Sequence, residues 1–117
     1  MREVAIMTAI TVHMRGEHIL GFTAKGHSGY AEKGEDIVCA AVSALTETAY
    51  LGLTELLKLE PEFRSGDGEL RVMLPKELPR EQGEKAELIL GSMLLGLRAI
   101  EENYSNYLKI SKREVKA

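Results

Sequence analysis

The chain has 117 residues, 44% of them apolar and 28% charged, which is enough for one domain, spanning 1–117, with a buried core. This excludes a disordered tail, a collagen-like repeat and a disulfide-stapled miniprotein; the lone cysteine, Cys39, has no partner for an intramolecular disulfide and suits a reducing cytosol. A net charge of −3, with four tyrosines, two phenylalanines and no tryptophan, argues against a general nucleic-acid binder.

Val4, Ile6, Thr8, Ile10 and Val12 alternate with a second set of residues at a two-residue period, which predicts a strand. The run is too short to span a bilayer, and Glu3 stands where a signal peptide would carry positive charge, so no membrane or targeting segment is expected. Arg15-Gly16-Glu17 supplies a turn, and His18 to Lys25 forms the second half of a hairpin, with Leu20, Phe22 and Ala24 on the expected core face. Gly26 to Glu35 reads as a glycine-rich loop, long for so small a domain, and such loops are disproportionately functional.

From Asp36, a suitable N-cap, the period becomes helical and is expected to continue to about Lys58. Val38, Val42, Leu45, Ala49, Leu53 and Leu56 form its apolar stripe. Runs from Leu59 to Arg64 and from Glu69 to Leu74 flank Ser65-Gly66-Asp67-Gly68 as a second hairpin. A second helix is expected over Arg80 to Asn103, with Gly91 and Gly96 near its apolar face placed where the helices approach, and a last strand over Tyr107 to Ser111 before a charged tail. The order β-β-α-β-β-α-β implies an α+β fold, a mostly antiparallel sheet with two helices on one face.

The chemistry-bearing residues gather between Gly26 and Ser43. Counted from Asp36 as cap, Cys39 is the third helical residue, where unpaired N–H groups and the helix dipole favour a thiolate and could steady an oxyanion. A cysteine is often simply core, but on the helical wheel Cys39 groups with Ser43, Thr46 and Tyr50, away from the Val38-Val42-Leu45 stripe. His27 is placed to act as base toward the thiol and acid toward a leaving amine, if it is not merely a solvated histidine. Asp36 has two readings, helix cap or third member orienting His27, and Ser43 could position substrate or bond a backbone carbonyl. One cysteine and three scattered histidines give no zinc spacing, so no metal is expected.

Gly26-His27, Tyr30-Ala31, Gly34 and the unbroken Asp36-Ile37-Val38-Cys39-Ala40-Ala41-Val42-Ser43 resemble the signature of the ribosomal-processing cysteine protease (Prp) family, and the resemblance covers the whole chain in length and element order. It implies Cys39 as nucleophile and His27 as base, supported by Asp36 and Ser43. It also implies a substrate loop containing Gly26, Gly29, Tyr30 and Gly34, and no cofactor. The implied activity is removal of a short N-terminal extension, ending in Phe-Ala or similar, from a large-subunit ribosomal protein (L-twenty-seven) by a cytosolic homodimer, with no membrane and no direct sequence-specific nucleic acid as partner. A different class of reading is a non-catalytic ribosome-assembly factor that binds the same peptide or ribosomal surface; a third is a small α+β dimer whose cysteine is merely packed.

Overall fold

The computed structural model describes residues 8–26, 33–66 and 68–116, with only the backbone of 33–36. In chain order the elements are β1 (Thr8–Arg15), β2 (His18–Lys25), α1 (Lys33–Leu51), β3 (Glu62–Gly66), β4 (Glu69–Met73), α2 (Arg80–Asn103) and β5 (Leu108–Glu114). The strands form one sheet in the order β3-β4-β2-β1-β5, antiparallel throughout except for the parallel β1–β5 pair. This is the expected α+β architecture. Residues 1–7, which include the start of the first expected strand, and the loop calls at 27–32 fall outside the described residues.

Alternation along the strands decides which face is covered. Ile10 and Val12 on β1, Phe22 on β2, Val72 on β4 and Leu108 on β5 are fully or almost fully buried beneath the helices. Val38, Val42, Ala49 and Leu53 from the first helical segment, and Ala86, Leu90, Met93, Leu94 and Leu97 from α2, close the core from above. Cross-strand partners share a face, so the opposite face carries Ala9, Thr11 and His13 with their partners. A register shift between His13 and Met14 pairs Met14 with Ile19 and brings both into the core, which strict alternation from Phe22 would not have allowed for Ile19. Gly21 is required at this place, because a Cβ there would run into the Val72 carbonyl and the Met73 backbone of β4.

Side chains from α2 fasten both ends of the sheet. Glu87 accepts from the Ile19 N–H at 3.2 Å and lies 2.8 Å from His18 Nδ1, while Glu101 accepts from the Ile110 N–H at 3.0 Å.

Four expectations need correction. The first helix begins at Lys33, not after Asp36, because Glu35 and Asp36 are acidic residues that suit a first turn as well as a cap. It ends in a wide π turn, Gly52–Leu56, with the Leu57 N–H bonded to the Gly52 carbonyl at 3.2 Å; the extra residue in the turn takes Leu56 off the apolar stripe and leaves it 77% exposed. The last strand runs to Glu114, since pairing with β1 continues through the charged segment. Of Gly91 and Gly96, a Cβ on Gly96 would stand 3.0 Å from Leu45 of α1, but nothing approaches Gly91; the second close approach joins Gly52 to Ile89.

One stretch, Ile37–Leu56, is long and apolar enough by length and composition to cross a membrane, longer than the Val4–Val12 run singled out in the sequence. Its apolar stripe is the one that Val38, Val42, Ala49 and Leu53 bury in the core.

Candidate functional site

The side of α1 that avoids the core stripe lines an open groove. Cys39, Ser43, Thr46 and Tyr50 face it as the helical wheel expected, at spacings of three and four residues. The opposite wall comes from the second hairpin, through Phe63, Ser65, Gly66 and Leu70, and the end is formed by Thr8, Ala24 and Gly26. The cavity has a volume of about 600 Å³, large enough for several residues of an extended peptide.

Cys39 is half-buried at the sheet end of this groove. Its Sγ lies 3.7 Å from Thr8 Oγ1, a contact in which either atom can donate. Thr8 is itself buried, so its hydroxyl is a fixed polar group beside the sulfur. Thr8 lies outside the 26–43 stretch in which the other chemistry-bearing residues gather. The available signal was its parity: a hydroxyl standing in the Ile10–Val12 row, where the core wants an apolar side chain.

Further along α1, the ring of Tyr50 meets that of Phe63 with centroids 4.6 Å apart at 37°, an aromatic wall joining helix to hairpin. Phe63 was also missed, because its strand is exposed along its whole length and gives no burial pattern to read. Thr46 is buried and donates its hydroxyl to the Val42 carbonyl at 2.9 Å, spending its polar group on its own helix. Ser43 is exposed and faces the groove one turn after Cys39.

Gly26 ends β2 at the rim. Its N–H donates to the Gly68 carbonyl at 2.9 Å, tying the start of the 26–35 segment to the turn of the second hairpin. Gly68 has φ +74°, a left-handed conformation that glycine adopts without strain, and a Cβ there would come 2.9 Å from the Gly26 carbonyl. The hairpin turn and the loop entrance therefore hold one another in place.

His27, Gly29 and Tyr30 lie outside the described residues, as does the side chain of Asp36; Gly34 belongs to the first turn of α1. With α1 beginning at Lys33, Cys39 is its seventh residue, not its third. The orphan N–H groups belong to the first four residues, and the dipole's influence falls off within the first turn. The helix end thus contributes less to the sulfur than a cap at Asp36 would have given. Asp36, being inside the helix, is not its N-cap.

Comparison with known proteins finds one family and one fold. The family profile described as Cysteine protease Prp matches residues 7–109. The chain is 34% identical over 95 residues to "Ribosomal processing cysteine protease Prp" of Bacillus subtilis, covering 80% of this chain and 85% of that one. It is 31% identical over 110 residues to the protein of the same name from Staphylococcus aureus, covering 91% and 97%. Among solved structures, the S. aureus Prp protease in complex with a substrate peptide superposes with a TM-score of 0.80 at 24% identity, over 92% of this chain and all of that one. The same protease with a covalently linked product peptide gives 0.78 at 25%, with the same coverage.

Proposed function

The chain belongs to the cysteine protease Prp family, and from that premise we propose that it cleaves the N-terminal extension of a large-subunit ribosomal protein (L-twenty-seven), with Cys39 as nucleophile and His27 as proton carrier. As a cysteine protease it must present one activated thiol to an extended peptide, and this chain has one cysteine. The observation that carries the reading is the position of Cys39 in a groove of about 600 Å³ with an aromatic wall at Tyr50 and Phe63.

The chemistry proceeds in two halves. The Cys39 sulfur, its proton passed to His27, attacks the scissile carbonyl and forms a C–S bond. Collapse of the tetrahedral adduct breaks the C–N bond, His27 returns the proton to the departing amine, and a thioester remains. Water, deprotonated by His27, then attacks the thioester, releasing a carboxylate and restoring the thiol. Asp36 supports His27, Ser43 contacts the bound peptide one turn from the sulfur, and Thr8 fixes the sulfur's position. The loop containing Gly26, Gly29, Tyr30 and Gly34 closes over the substrate. None of these steps calls on a cofactor. The two aromatic rings of the wall match a peptide that ends in Phe-Ala.

The homodimer implied by the family resemblance finds a matching surface on the helices. Leu56, Leu88 and Leu95 are each more than 70% exposed, and the first two line a second cavity, about 490 Å³, between the helices. Large apolar side chains grouped this way mark an interface, and a second copy presents the same face in return. A lone thiol suits a cytosolic enzyme.

A synthetic peptide spanning the extension decides the matter. Wild-type protein is expected to cut it at a single bond, and Cys39→Ala to bind it uncut. Binding with no cleavage by the wild type contradicts the reading and favours an assembly factor.

A further inference from the structure

The face of the sheet turned away from the helices differs in charge from the rest of the molecule. Cross-strand register puts Arg64, Arg71, Thr23, Thr11 and Ser111 in one row across all five strands. On one side of it Lys25, Ala9 and Lys109 align with Glu69; on the other, His13 and Gly21 align with Arg113, Met73 and Glu62. Five cations therefore share this face with two carboxylates, in a chain whose net charge is −3. Among the described residues none of the five is in an ion pair.

Arg64 and Arg71 stand directly opposite each other on β3 and β4. Like charges in that position destabilise a sheet, so folding gives no reason for the pair. The field they help to create is felt at His13, which is buried, accepts or donates at 2.8 Å to Thr23 Oγ1, and has its pKa lowered by burial first and then by Arg71 and Arg113. Glu62 is the carboxylate of its own row.

We propose that this open sheet face docks the phosphodiester backbone of double-helical RNA, without reading its sequence. Arginine forks on β3 and β4 and the cations of β5 stand on either side of a strip of small side chains, Ala9, Thr11, Gly21 and Thr23. Three strand spacings separate β4 from β5, on the order of 14 Å. A surface of mostly small side chains on β1 and β2, edged by the cations of β3, β4 and β5 and by Lys25 at the end of β2, suits the wide, shallow minor groove of an A-form helix, and guanidinium pairs bidentately with phosphate. The rows contain no Phe, Tyr or Trp, and the ring of His13 is buried, so no base can stack on the face, and this makes the contact indifferent to sequence. A second copy of the chain does not fit, because a two-fold contact would set the cations against themselves. That the polymer is RNA rests partly on the ribosomal-processing reading; the charge and shape of the face do not.

The test uses fluorescence anisotropy with a labelled 16-base-pair RNA duplex of mixed sequence, the matching DNA duplex and a poly-glutamate of equal charge. Wild type is expected to bind the RNA at 25 mM KCl, with a slope of log K against log salt of about −3.6 to −4.5, as four or five phosphate contacts require. The double variant Arg71→Glu/Lys109→Glu is expected to lose at least about tenfold in affinity while cutting its peptide at the wild-type rate. Should that variant fail to fold, Arg71→Thr/Lys109→Ala is expected to lose about threefold to fivefold. Bound RNA is also expected to raise the pKa of His13, read from its ring protons by NMR, because phosphate offsets the two arginines. No binding at 25 mM KCl, or binding unchanged by the variants, overturns the proposal; so does poly-glutamate or DNA binding as tightly with the same His13 shift. Peptide cleavage is scored separately, so failure here leaves the peptidase reading intact.

Discussion

The two faces of the sheet are built from alternate residues of the same strands, yet they have little in common. On β2, Phe22 is fully buried under the helices while its neighbour Thr23 is on the open side, beside Thr11 and Arg71. The covered face gathers apolar side chains and, at one end, the groove that holds Cys39. The open face gathers cations. A period of two lets one small sheet separate the face that carries its core and groove from a second surface of different chemistry.

Each face responds to its own substitutions. The largest expected effect is on the groove: Cys39→Ala should lower peptide cleavage by about 10³-fold or more, with the thermal unfolding midpoint unchanged. Next comes the covered face, where Phe22→Ala should cost about 3–5 kcal/mol in urea unfolding, against about 1 kcal/mol for Thr23→Ala, one residue away, which loses only its hydrogen bond to His13. Equal losses at the two positions would mean that the open face is itself packed against something. At the end of the covered face, Thr8→Val keeps shape and removes the hydroxyl beside the sulfur; kcat/KM should fall about fivefold to tenfold with stability little changed.

His13 sharpens the comparison by pH. Its folded pKa lies below the ordinary 6.5, so its contribution to stability is fully present above 6.5 and is lost as pH falls through that value toward the lower folded one. His13→Gln should flatten the unfolding free energy below pH 6.5. The smallest expected effect is at Arg71→Thr, which relieves the like-charge contact with Arg64 and should stabilise the fold by a few tenths of a kcal/mol.

Much of this division was legible in the sequence, for reasons of period. The second helix, Arg80–Asn103, and the second strand, His18–Lys25, have the limits that their patterns indicate, because a long amphipathic stripe and a hairpin turn are local signals. The Cys39-Ser43-Thr46-Tyr50 face of α1 was visible on the helical wheel and does line the groove. The beginning of α1 was not, since a residue such as Asp36 serves either as cap or as first-turn acid, and the local sequence does not choose between them. Thr8 and Phe63 reach the same groove because β4 of the second hairpin pairs with β2 of the first, a contact between distant strands that no single stretch of chain encodes. The cationic rows are invisible for the same reason, as their members are spread from position 25 to 113 and meet only in the assembled sheet.

The most direct test of Cys39 as nucleophile uses the fact that it is the only thiol in the chain. Folded protein is alkylated with increasing iodoacetamide, incorporation is counted by intact mass, and cleavage of the extension peptide is measured on the same samples. Activity is expected to fall in proportion to incorporation and to vanish at one carboxamidomethyl group per chain. Full alkylation with cleavage undiminished would contradict it.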